Sequence, residues 1–81
     1  MDISNKVREI VADITNNRLG DIDEDSGAAT TDGWDSVAQI NIIASIEMEY
    51  GLTFSADEMQ SLNSIQKILL AIKNHLPEKV A

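Results

Sequence analysis

The segment with the clearest chemical potential is Gly33-Trp34-Asp35-Ser36-Val37, where a serine follows an acidic residue just as an apolar-periodic stretch begins. With Asp35 as N-cap of that stretch, Ser36 takes the first helical position. Its hydroxyl is then not consumed in capping and projects into solvent. Free backbone N–H groups and the positive end of the helix macrodipole stabilise an anion at such a point. A phosphate esterified to Ser36 would sit well there. Asp-Ser is also a common helix-capping dipeptide, and position alone does not separate the two uses. Elsewhere the means for catalysis are missing. His75 is the only histidine and falls near the end of a helix, where it complements that helix's negative end. No Ser-His-Asp array is available. The absence of cysteine excludes a disulfide scaffold, a zinc-thiolate site and a catalytic thiol. No catalytic constellation emerges, so the chain reads as a non-enzyme.

A second pattern lies upstream. Asp21, Asp23 and Asp25, followed by Asp32, occupy the first, third, fifth and twelfth positions of a calcium-binding EF-hand loop. The sixth position, which needs glycine for the sharp turn, is Ser26, with Gly27 one residue late. Asp32 has a shorter arm than the glutamate that bidentate ligation favours. A calcium-binding loop therefore stands as an alternative, beside a solvated acidic loop and an unmodified helical interaction module.

Composition sets the bounds. The 81 residues suffice for one domain, spanning 1–81, which buries roughly 60% of the surface its unfolded form exposes. Six basic against 14 acidic residues give a net charge of −8, a sign that repels phosphate backbones and argues against nucleic-acid binding. No apolar run approaches the ~18 residues of a membrane span. The Met1-to-Lys6 stretch lacks the basic-then-apolar character of a signal peptide, so the expected location is the cytoplasm, and the expected state is a monomer.

Four elements must position Ser36. Ile3, Val7, Ile10, Val11 and Ile14 follow the helical period over about 2–16, with Asp2 as a plausible cap. Periodicity then vanishes from Asn17 to Asp35, a loop longer than compact domains usually carry, with Leu19 and Ile22 expected to pin its first half. A second helix is expected over 36–50, ended by Gly51. It carries two apolar stripes: Ile42, Ile43, Ile46 and Tyr50, suited to the core, and Val37, Ile40, Ala44 and Met48 on another side. Ser55-Ala56-Asp57-Glu58 matches a capping box and opens a short helix over 56–61. Ser64 caps a last helix over 64–76, with Ile65, Ile68, Leu69, Ile72 and Leu76 in period and Pro77 beyond, before a ragged tail over 77–81. The expected fold is all-α: a four-helix bundle with three longer helices, a short third one and a long loop between helices 1 and 2.

From Asp35 onward the chain resembles the acyl carrier proteins and their peptidyl-carrier relatives. Their Asp-Ser-Leu motif at the start of the second of four helices reads Asp35-Ser36-Val37 here. The likeness continues through Ile46-Glu47-Met48-Glu49-Tyr50-Gly51, Phe54-Ser55-Ala56-Asp57-Glu58 and Ser64-Ile65-Gln66. The resemblance implies that Ser36 receives 4′-phosphopantetheine from coenzyme A, with Asp35 holding the motif and the helix start. A phosphopantetheinyl transferase would attach the group, using Mg²⁺ in its own active site. The terminal thiol would then carry an acyl or aminoacyl thioester among acyl-loading, condensing or acyl-transferring enzymes. The resemblance also implies docking through Val37, Ile40, Ala44, Glu47 and Met48, and an acyl pocket lined by Ile43, Ile46, Phe54, Met59, Leu62 and Ile65. The second helix bears Ala38, Asn41 and Met48 where fatty-acid-synthesis members often carry acidic residues. Partner recognition should then lean on apolar contact. The pathway stays open between fatty-acid synthesis and specialised carriers for polyketide, nonribosomal-peptide, lipid or glycan modification.

Overall fold

The structure is a computed structural model that describes residues 3–76. The expected Asp2 cap, Pro77 and the tail lie outside the described residues. Four helices form: α1 (Ile3–Thr15), α2 (Ser36–Tyr50), α3 (Ala56–Ser61) and α4 (Ile65–His75), with a 3₁₀ turn at Leu19–Asp21. The all-α expectation and the helix order stand, with α1 and α4 each starting or stopping about a residue inside the expected limits.

The core is aliphatic. Val7 and Val11 from α1, Ile42, Ile43 and Ile46 from α2, and Ile65, Ile68 and Ile72 from α4 are wholly buried, each contributing about 1.5–3 kcal/mol by leaving water. Trp34 and Phe54 are the buried aromatics. No residue of α3 reaches full burial, so this six-residue element depends on its ends. Leu62, its C-cap, is buried, and Ser55 and Glu58 form the reciprocal capping box that the sequence predicts.

The long loop is stitched down at several points, and here one expectation fails. Leu19 is 39% exposed and does not pin the loop, whereas Ile22 is buried. The second anchor is Arg8 of α1, whose Nε donates to the Ile22 carbonyl at 2.7 Å and whose other nitrogen reaches Leu19 O at 3.4 Å. A surface arginine can hold a loop by its fork of donors while its stem covers apolar surface. Further on, Ala28 N donates to Asn63 O at 2.9 Å and Ile65 N to Ser26 O at 3.0 Å, tying the loop to the α3–α4 junction.

The loop's far end is set against the C-terminus of α1. Asn16 closes α1 in the left-handed conformation, φ 62, and Asn17 N returns to Ala12 O at 2.8 Å. The Asn17 amide donates to Thr15 Oγ1 at 2.8 Å and to Asp32 O at 2.9 Å. Gly33 follows at φ +83, and a Cβ there would stand 2.6 Å from Thr15 O. Only glycine permits both the dihedral and the approach. Gly33→Ala is expected to destabilise the fold by more than the ~1–2 kcal/mol of a left-handed residue alone. Urea unfolding followed by circular dichroism checks this, and an unchanged midpoint would refute it.

Candidate functional site

Asp35 caps α2 from an extended conformation, its Oδ1 accepting from Ala38 N at 2.9 Å, and Asp35 O accepts from Gln39 N at 2.8 Å. Such a cap is worth about 1 kcal/mol. Ser36 is therefore the first helical residue and is exposed, and its hydroxyl makes no hydrogen bond among the described residues. The amides of Ser36 and Val37 also lack backbone partners there, as the first residues of a helix must. A free hydroxyl beside unpaired N–H groups at the positive end of a fifteen-residue helix is chemically suited to bear a phosphate ester.

Beside Ser36 opens a pocket of about 640 Å³, lined by Ala28, Trp34, Asp35, Ser36, Gln39, Ile40, Ile43, Ala56, Met59, Gln60 and Asn63. It takes in two of the six residues expected to line an acyl pocket. Ile43 and Met59 do face the pocket, but Ile46, Phe54, Leu62 and Ile65 belong to the packed core instead. Helical periodicity marks a residue as inward-facing but does not tell a filled interior from a wall. Missed in the sequence were Trp34 and Gln39 as wall residues. The proximity of Trp34 to Asp35-Ser36 was a signal for the first; nothing local marks the second.

The second stripe of α2 lies in solvent. Val37, Ile40 and Met48 are 67%, 60% and 85% exposed, and Ala44 is exposed as well. It does not pack beneath the long loop. Ala38, by contrast, is buried and does not stand in for a surface acid. Glu47 is half-buried, and its Oε2 accepts from Phe54 N at 2.8 Å, so this carboxylate organises the turn after α2. Glu49 lies 3.8 Å from Lys6 Nζ.

Of the residues of the calcium alternative, Asp23 and Asp25 accept from protein donors. Asp21 closes the 3₁₀ turn. Asp23 Oδ1 accepts from Asp25 N at 2.8 Å and from Ser26 Oγ at 3.3 Å, while Asp25 Oδ1 accepts from Gln66 at 3.0 Å. No group of three or more His, Cys, Asp or Glu side chains among the described residues is placed to share an ion.

The chain matches the family described as phosphopantetheine attachment site over residues 5–72. It belongs to that family. It is also 28% identical over 74 residues to the acyl carrier protein of Rickettsia bellii (strain RML369-C), a match that takes in 91% of this chain and 86% of the relative. Membership brings with it a 4′-phosphopantetheine prosthetic group, and the carrier proteins of the family are generally non-catalytic. Among the described residues, no helix is long and apolar enough to cross a membrane.

His75 has a larger part than helix-end complementation. Its Nε2 lies 3.0 Å from Glu58 Oε2, and its ring meets Phe54 edge-on at 5.1 Å, so α4 holds the N-terminal end of α3. The hydrogen bond from His75, followed by that from the Ser55 backbone, keeps the Glu58 carboxyl below its usual value. A group depressed in this way stabilises the fold above the ordinary carboxylate range and loses that contribution as pH falls through its own lowered value. Glu58→Gln should therefore be less stable than the parent near neutral pH, with the gap closing in acid. Denaturant titrations across pH 3–7 check this, and a gap that widens toward acid would contradict it.

Proposed function

We propose that this protein is an acyl carrier with Ser36 as the attachment residue. The observation that carries the reading is an exposed Ser36 hydroxyl, without a hydrogen bond among the described residues, at the first position of α2 and beside the pocket, in a member of the phosphopantetheine family. In loading, Ser36 Oγ attacks the coenzyme A phosphorus that bears the pantetheine. The new Oγ–P bond replaces the diphosphate P–O bond, 3′-phosphoadenosine 5′-phosphate leaves, and the serine proton passes to a base of the phosphopantetheinyl transferase. Asp35 holds the first turn of α2, and the Ser36 and Val37 amides would be available to the resulting phosphodiester. When bound, the group supplies the thiol that carries acyl or aminoacyl cargo as a thioester.

Acyl-loading, condensing and acyl-transferring enzymes would then meet the exposed strip Val37, Ile40, Ala44 and Met48. A net charge of −8 steers the carrier toward basic surfaces, while the strip itself offers apolar contact with an adaptable methionine. This favours partners that dock by apolar complementarity and leaves fatty-acid and specialised acyl transfer both served by the same surface. We place the carrier in the cytoplasm as a monomer.

Incubating the protein with coenzyme A, Mg²⁺ and a broad-specificity phosphopantetheinyl transferase should add the mass of one phosphopantetheine. Ser36→Ala should abolish the gain while shifting stability by no more than about 0.5 kcal/mol, as exposed substitutions do. Intact-mass spectrometry with a parallel thermal melt reads both. A gain that persists in Ser36→Ala, or none in the parent, would overturn the assignment.

A further inference from the structure

One side chain lining the pocket beside Ser36 bridges α2, α3 and the loop before α2. Gln39 stands one helical turn beyond Ser36 and lines the pocket. Its Oε1 accepts from Trp34 Nε1 at 2.7 Å, and its Nε2 donates to Met59 O at 2.9 Å and Leu62 O at 2.8 Å. The orientation of the amide is dictated by chemistry: an indole N–H only donates and a carbonyl only accepts. Both amide donors are thus used on the last turn and C-cap of α3, and the acceptor is used on the loop that leads into Ser36. These bonds tie α2 to α3 beside the pocket, while Ile42, Ile46 and Ile65 are wholly buried. Because α3 buries none of its own residues fully, this bridge is a principal tie at its C-terminal end.

We infer that Gln39 is a specificity-determining gate, closing the pocket beside Ser36 off from the aliphatic core, so that acyl cargo rests in that outer pocket and not among the buried isoleucines. The inference rests on Ser36 being the attachment point. A long alkyl chain entering the core must part α3 from α2 and leave Trp34 Nε1, Met59 O and Leu62 O without partners, at a desolvation cost for each. A short acyl group lies against Ile43 and Met59 and breaks none of these bonds. The polar side chains of Gln60 and Asn63 at the same pocket accept cargo bearing a hydroxyl or amide.

The chain has no cysteine, so Ser36→Cys creates one thiol that accepts arms without any transferase. That variant is alkylated with N-butyl- or N-dodecyl-iodoacetamide, in the Gln39 background and with Gln39→Ala or Gln39→Met added. Methyl NMR of Ile46, Leu62 and Ile65 and the melting temperature are then compared. With Gln39 present, butyl and dodecyl adducts should give the same core methyl positions and the same melting temperature. With Gln39→Ala, and with Gln39→Met, which keeps the volume but loses the hydrogen bonds, the dodecyl adduct should shift those methyls and melt higher than the butyl adduct. Core shifts with dodecyl in the Gln39 protein would overturn the gate, as would identical behaviour of butyl and dodecyl adducts in folded Gln39 variants. Should neither variant fold, the Gln39 protein decides alone: unmoved core methyls support the gate and moved ones refute it. Failure of the attachment assignment would appear separately, as the absence of a Ser36-dependent mass gain with the transferase.

Discussion

The contact between Gly33 and the end of α1 governs where the reactive serine stands. Gly33 runs so close to the Thr15 carbonyl that no side chain fits, and Asn17 clamps the adjoining Asp32 carbonyl to the same helix end. Thr15 is itself anchored, its Oγ1 donating to Val11 O at 2.6 Å. The chain therefore leaves α1 at one fixed point, buries Trp34 two residues before Ser36, and enters α2 with Asp35 already in capping position. A loop this long has many ways to end; this contact selects one, and the exposure of the Ser36 hydroxyl follows from it.

From that point the molecule divides into a rigid part and a lightly held part. α1, α2 and α4 share the buried isoleucines and valines, and their packing leaves little room for adjustment. The short α3 is held by the Glu58–His75 contact at one end, by Gln39 at the other, and by Leu62 below. Polar ties of this kind are directional and individually modest, about 1 kcal/mol each when neutral. They fix the position of α3 without locking it as a packed helix would be locked. The pocket lies along this more adjustable boundary, so its shape depends on a few hydrogen bonds rather than on the bulk of the core.

The same division separates the two apolar faces of α2. Ile42, Ile43 and Ile46 are wholly buried in the bundle, whereas Val37, Ile40 and Met48 are mostly exposed. In the proposed carrier, large apolar side chains left in water beside Ser36 are the surface a transient partner would cover. The net charge of −8 attracts oppositely charged surfaces.

Local physical chemistry was legible in the residue order. The helical periods, the Asp35 cap, the Ser55–Glu58 box, the Gly51 stop and the place of Ser36 at a helix start each depend on residues within a few positions of one another. The Asp35-Ser36 motif and the four-helix order together pointed to a phosphopantetheine carrier. Tertiary structure decided the rest. Leu19 yields its anchoring role to Arg8, Glu47 turns to Phe54 N, and the pocket wall falls to Trp34 and Gln39 rather than to Ile46, Phe54, Leu62 and Ile65. Gln39 meets its α3 partners 20 and 23 residues away. No periodicity or capping rule reaches that far, because such contacts exist only after the loop has closed and α3 has been laid against α2.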